Sequence, residues 1–396
     1  MNIGVIVDNE FSNDIRVYNE CLILSDAGHR VFVLCLNFGE KPNNERINTN
    51  LTVLRIRINR KVKNIMFALS NSIDLYSYWW SDKIDAFIKK YHIEFLHVHD
   101  LYMAKAGYLA KKRNAIPMIL DLHEYYPYAA LSYRWMNKFP SKYIIRPRVW
   151  IKKERRFLHY PDTIVVLSDH FKAELIKKYH YLKEEQFVVF PNIPNVPELS
   201  AYPVDKNIIN KGDSFILFYF GGVSRRRGIF LAIDALKILL DKIPQIRLLI
   251  IGPVDKAERK AFETAVSDEK VKNHIIYYAW KDISLLPSYI HISDVCLSPI
   301  EKNKQHESGI ANKVYQYMLF ERPVLVSDCK PQADLINKAE CGLVFKWDSV
   351  EDFAEKVLEL FRNKELARKM GINGRREILA HYNLKTTGKN LLKAYL

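Results

Sequence analysis

The feature that most constrains this chain is an alternation, sustained from end to end, of short β-branched apolar runs with amphipathic stretches of helical period. Residues 3–7, 31–36, 52–56, 95–98, 118–121, 163–167 and 187–189 read as strands. Segments 16–27, 73–91, 104–112 and 170–179 between them read as helices. Strands that are apolar along their whole length, separated by helical segments, predict a parallel sheet covered on both faces. The pattern restarts after Pro191-Asn192-Ile193-Pro194 and the polar stretch 201–213. Strands are then expected at 215–220, 247–251, 274–277, 295–298, 324–327 and 342–345, and helices at 229–241, 256–266, 313–319 and 350–363.

A chain of 396 residues exceeds what one hydrophobic core accommodates, so the two sets predict two Rossmann-like domains. The expected division is 1–195 and 196–376, with 377–396 as a helix packing back on the first domain. The crevice between the two sheets is the expected ligand site. Five cysteines, Cys21, Cys35, Cys296, Cys329 and Cys341, show no CxxC or metal-ligand spacing and read as buried thiols of a reducing compartment. The opening MNIGVIVDNEF lacks the basic region and cleavage site of a signal peptide, and no apolar run reaches the roughly 18 residues of a membrane span. These features predict a cytoplasmic chain.

The net charge of +15 implies an anionic partner. The charge is uneven: residues 134–156 hold nine Lys/Arg and one acid, interleaved with aromatic and aliphatic residues. Such a segment suits a helix lying on the anionic inner face of a membrane, with Trp135, Lys142, Arg146, Arg148, Trp150 and Lys152 as contacts. A core-facing helix with a solvated basic back has the same pattern, and both readings stay open. A nucleic-acid-binding protein is a further alternative raised by the charge, but no recognition helix, aromatic platform or zinc spacing supports it. The first strand leads into DNEFSNDIRV without a GxGxxG, which argues against a dinucleotide enzyme.

The second half carries FYFGGVSRRRGIFLAIDAL, then SDVCLSPIEKNKQHESGIANKVYQYMLFERPVLVSD and DLINKAECGLVF. The first half carries GHRVFVL, HVHDL, LDLHEYYP, VVLSDHF and VVFPNIP. In order and spacing these motifs resemble the retaining GT-B glycosyltransferases of family four, the glycosyl transferases group 1. The resemblance implies two Rossmann-like domains facing each other across a cleft. It also implies transfer of a hexosyl or N-acetylhexosaminyl group from a nucleotide diphosphate sugar, UDP-linked in first preference, to a glycan or lipid-linked acceptor in cell-surface polysaccharide biosynthesis. No metal is implied, since no Asp-x-Asp stands in a metal-binding loop. No cofactor beyond the substrate nucleotide-sugar is implied either.

A metal-free departure of a diphosphate needs cations and oriented N–H groups at the leaving oxygen. Arg227, just before a helix, and Lys313, in the first turn of the helix after the Gly309 loop, suit that task, with the N–H groups around Gly309–Asn312 as an anion cradle. Through the resemblance, Gly222, Glu307, Ser308, Gly309, Ile310 and Gln316 are expected at the donor, and His123 faces the transferred sugar. Asn13, Asp14, Arg16, His99 and Asp100 are expected at the acceptor. The family's Glu, seven residues, Glu pattern falls here on Ser308 and Gln316, with Glu307 one residue out of register. Gln316 can still accept from ribose hydroxyls through its carbonyl oxygen. A nucleotide-sugar epimerase on the same fold is the alternative enzyme, but it has no use for a basic, aromatic surface.

Overall fold

The computed structural model describes residues 1–12, 14–137, 139 and 141–396, without the side chains of Arg134 and Trp135. Asn13 thus lies outside the described residues. The chain divides into two compact units, Met1–Pro191 with Thr387–Leu396, and Asn192–Thr386. The segment returning to the first unit therefore starts at Thr387, later than position 377.

The first unit holds strands β1 (Asn2–Ile6), β2 (Arg30–Asn37), β3 (Asn44–Arg46), β4 (Leu51–Arg57), β5 (Phe95–His99), β6 (Met118–Asp121), β7 (Thr163–Val166) and β8 (Phe187–Val189). They form one sheet in the order β3-β4-β2-β1-β5-β6-β7-β8. Every pairing is parallel except β3 with β4. β3 is a polar three-residue edge, NER, and so has no apolar pattern to announce it. The second unit holds β9 (Phe215–Phe220), β10 (Ile246–Ile251), β11 (Ile275–Tyr278), β12 (Val295–Ser298), β13 (Val324–Ser327) and β14 (Gly342–Phe345). Its order is β11-β10-β9-β12-β13-β14, all parallel.

Apolar residues on both faces of these strands explain the burial. In the second unit, Leu217, Tyr219 and Leu248 belong to one hydrophobic cluster, and Ile216, Phe218 and Leu249 to another. In each sheet the strand order reverses beside the first strand of the unit, β1 or β9. Side chains following the carboxyl ends of strands at such a point converge without strand–strand interference. The expectation of two Rossmann-like α/β units holds.

The basic segment departs from its expected form. Instead of one interfacial helix it makes three short ones, Arg134–Asn137, Ser141–Ile145 and Val149–Phe157. Arg146 sits at φ +49° and Pro147 follows it, so helical geometry cannot run through. Trp150, expected at the lipid surface, is buried, with its ring edge-on to Tyr126 and Lys153 over its face. Glu154 is buried too and takes Lys178 Nζ at 2.6 Å. Lys142, Arg146, Arg148 and Lys152 are exposed. No helix among the described residues is long and apolar enough to cross a membrane.

Candidate active site

In the first unit β5 pairs with β6 so that His99 lies opposite Asp121. Asp121 then receives a bidentate grip from Arg16, Nε to Oδ2 and Nη2 to Oδ1, both 2.9 Å. Arg16 also donates to the Phe190 carbonyl at 2.7 Å and lies 3.2 Å from Glu20 Oε1. Arg16, expected at the acceptor, is thus buried, with its guanidinium held by Asp121, Glu20 and the Phe190 carbonyl. Asp14, expected beside it, caps the helix Ile15–Asp26 by accepting from the Val17 N–H at 3.3 Å, and accepts from Asn9.

Three histidines follow one another from the interior outward, the first two stacked and the third edge-on to the second. His97 and His99 are fully buried, with ring centroids 4.4 Å apart, while the His123 side chain keeps 17% exposure. His99 Nδ1 and His123 Nε2 are 2.8 Å apart. Burial works against a charge on His123, but Asp100 and Asp121 outweigh it and raise the ring to about 10. As an imidazolium, His123 donates from Nε2 to His99 Nδ1, which leaves the His99 proton on Nε2. Burial holds His99 below the usual histidine range. The expected pair His99 and Asp100 is therefore split: His99 is interior and orients His123, while Asp100 sits at φ +71°, accepts from Tyr102 and lies 3.9 Å from His123 Nδ1.

Below this lies a layer that the local motifs do not announce. Glu20 Oε2 is 3.7 Å from His97 Nε2 and 3.8 Å from His99 Nε2, and Tyr395 Oη meets His97 Nδ1 at 2.6 Å. Burial, and then the nearby Asp121, push Glu20 well above the usual carboxylate range. Burial also raises Asp121, but Arg16 and the two histidines override it and hold Asp121 well below that range. Glu20, His97, His99 and Asp121 place one ligand atom each within 4.8 Å of one another, a spacing that suits a metal ion. Asp121 of this group is already committed to Arg16, and His123, raised to about 10, adjoins it.

In the second unit the chain leaves β9 through Gly221 and Gly222 and makes a single turn, Arg225–Arg227. Gly228 at φ +76° then opens the helix Ile229–Leu239. A Cβ at Gly228 would stand 1.6 Å from the Pro299 carbonyl oxygen, so only glycine lets this turn press on the end of β12. Two contacts hold the loops together: Glu301 N–H to Arg226 O at 2.9 Å and Arg226 Nη1 to Gln305 Oε1 at 3.3 Å.

Lys313 stands in the first turn of the helix Asn312–Leu319, buried, with Nζ 3.7 Å from the centre of the Tyr219 ring. Tyr219 is fixed in turn by donating to Gly222 O at 2.6 Å. Burial, reinforced by Arg227, pulls Lys313 well below the ordinary lysine range, and no carboxylate opposes this. Neither Lys313 nor Arg227 has an acidic partner among the described residues. His306 is pushed down to about 3 by burial, Arg227, Arg226 and Lys313, which marks the same local excess of positive potential. The Ser308 hydroxyl donates to Gln305 O at 2.6 Å and Gln316 is buried in the helix body. Glu307 is half-buried beside them, Gly309 is extended, and Ile310 O accepts from Asn192 Nδ2.

Comparisons with known proteins identify the family of the chain. The model of the family Glycosyl transferases group 1 matches residues 203–377, and that of Glycosyltransferase Family 4 matches residues 15–195. The chain is 21% identical over 239 residues to the capsular polysaccharide biosynthesis glycosyltransferase CapM of Staphylococcus aureus, covering 59% of this chain and 60% of that one. The sucrose-phosphate synthase of Thermosynechococcus elongatus superposes with a TM-score of 0.80 at 18% identity, over 100% of this chain and 98% of that one. Anabaena Alr3699/HepE in complex with UDP superposes with a TM-score of 0.72 at 12% identity, over 100% and 99%. Two parallel α/β units of this topology, with both family models matched in order along the chain, establish that it belongs to the GT-B glycosyltransferases.

Proposed function

We propose that this chain is a retaining, metal-independent glycosyltransferase that moves a sugar from a nucleotide diphosphate donor, UDP-linked in first preference, to a glycan or lipid-linked acceptor in polysaccharide assembly. The observation that carries this reading is the pair Lys313 and Arg227, one buried at a helix N-terminus, neither matched by an acid. Holding a lysine out of water without a counter-ion is costly, and a diphosphate supplies the missing charge. The same groups meet the charge that grows on the leaving oxygen, which is the task a metal performs elsewhere. A neighbour of the same fold binds UDP, and a relative works in capsular polysaccharide biosynthesis, which supports the choice of donor and pathway.

In the first unit, His123 is the group offered to the transferred sugar, with Asp100 beside it. His99, Asp121 and Arg16 hold its ring and its charge. The exposed cations Lys142, Arg146, Arg148 and Lys152 support a peripheral place on the anionic inner membrane face, where a lipid-linked acceptor resides. Retention is read from the family alone.

Incubation with UDP-, GDP- and dTDP-sugars and a lipid-linked acceptor, in excess EDTA, tests the reading. Turnover undiminished by the chelator and an NMR-assigned product with the donor's anomeric configuration are expected. Loss of turnover on chelation overturns the metal-free mechanism, and an inverted product overturns retention.

A further inference from the structure

An apolar stripe lies outside the core of the first unit. The helix Arg60–Leu69 turns one side toward the unit: Lys63 Nζ lies 2.8 Å from Asp8 Oδ2, and the Phe67 ring stands edge-on to Tyr76 and Tyr102. On the other side Val62, Ile65 and Leu69, at helical spacing, are exposed, Ile65 by 59%. Ile73, Leu75 and Tyr78 carry the exposed stripe onward, the first two by 61% and 60%. The stripe is fastened to the basic segment: Asn71 Nδ2 donates to Ile145 O at 2.6 Å, and Lys153 Nζ donates to Ser70 O at 2.9 Å. From that side Phe139, Tyr143 and Ile144 add further exposed apolar surface.

The charge carried by the segments of the stripe is almost all positive. Lys61, Lys142, Arg146, Arg148 and Lys152 are exposed cations, while Arg60, also exposed, lies 3.7 Å from Glu10 Oε2. Asp74, the only acid in residues 57–78, is taken by Lys105 at 2.7 Å, and the only acid in 134–156, Glu154, is buried. The core of a protein–protein interface is depleted in lysine. An apolar band edged by Lys and Arg, with free acids absent, is instead the pattern of an element seated at a lipid headgroup boundary.

We propose that residues 62–78 form the inserting element of this protein, buried among the lipids of an anionic leaflet, while the cations of 142–152 hold the headgroups. The inference rests on the membrane reading above and names the segment that enters the bilayer.

All five native cysteines are buried, so Ile65→Cys and Ile73→Cys each offer one accessible thiol for an environment-sensitive fluorophore. Glu355→Cys, on an exposed face of the second unit, is the control. With phosphatidylglycerol vesicles the probes at 65 and 73 should shift to the blue and resist an aqueous quencher. The probe at 355, and all three with phosphatidylcholine alone, should not. The triple variant Ile65→Asn, Ile73→Asn, Leu75→Asn should lower the fraction sedimenting with anionic vesicles by about tenfold while the UDP-induced melting shift stays as in wild type. If wild type sediments but the probes stay in water, the inserting element is wrong and the membrane reading stands. If wild type does not sediment, both fall. A blue shift that appears without lipid and grows with protein concentration shows a second copy covering the stripe and overturns the proposal.

Discussion

Lys313 and His123 carry opposite electrostatic problems. Lys313 loses affinity for its proton through burial and Arg227, and a diphosphate bound beside it would reverse that. Between the depressed value of the free protein and the ordinary lysine range, nucleotide binding must therefore take up a proton, so affinity falls as pH rises through that window. At pH 8 a terminal phosphate, with its second ionisation near about 6, is already fully charged and contributes little to the uptake. Calorimetric titration with UDP in two buffers of different ionisation enthalpy should show net uptake in wild type and none in Lys313→Met. His123 has the reverse shift, up to about 10, imposed by Asp100 and Asp121 against burial. A raised pKa gives stability that is complete below the unfolded value near 6.5 and disappears as pH climbs through about 10. Melts of wild type and His123→Gln should differ by a few kcal/mol at pH 6 and converge by pH 10. A constant gap across that range would show that the ring is not held as a cation.

At the scale of elements, two short stretches decide how the loops meet. Gly228 joins the turn Arg225–Arg227 to the helix Ile229–Leu239 in a left-handed conformation against the Pro299 carbonyl. Gly228→Ala forces the turn off β12, so UDP binding should weaken at least tenfold in calorimetry, alongside a loss of stability. Unchanged affinity would mean that the turn carries no part of the donor site. In the segment 134–156, Trp150 belongs to the core. Trp150→Ala should cost about 3–5 kcal/mol in denaturant unfolding, yet the folded fraction should sediment with anionic vesicles as wild type does. Loss of vesicle binding with unchanged stability would return Trp150 to the surface.

For the whole molecule, the donor should act as a stabilising ligand. A nucleotide at 100 times its Kd adds about 2.7 kcal/mol to the unit that binds it, which a melt resolves clearly. In a panel of UDP, GDP, dTDP and ADP, one should shift the melt well beyond the others. Arg227→Ala should remove most of that shift by deleting a charge-assisted contact. Retention of the full shift in this variant would exclude Arg227 as a phosphate ligand. The charge of +15 acts at this scale too, since binding to anionic vesicles should weaken steeply as salt rises.

The sequence by itself determined the two parallel α/β units. Strands buried on both faces must be apolar throughout, and that signature is local and periodic. It also placed Arg227 before a helix and Lys313 in a first turn, because glycine and helix starts are written in neighbouring residues. It did not reveal β3, whose three polar residues lie at an edge, nor the outward stripe of Arg60–Leu69, since an apolar helical stripe looks the same whether the core or solvent receives it. Tertiary structure alone decided that Arg16 and His99 face inward as supports for His123, and that Trp150 faces the core while Lys142 and Arg146 face water. It alone brought Tyr395 to His97 across 298 residues of chain. Contacts of that separation arise from the packing of the sheet, and no local spacing encodes them.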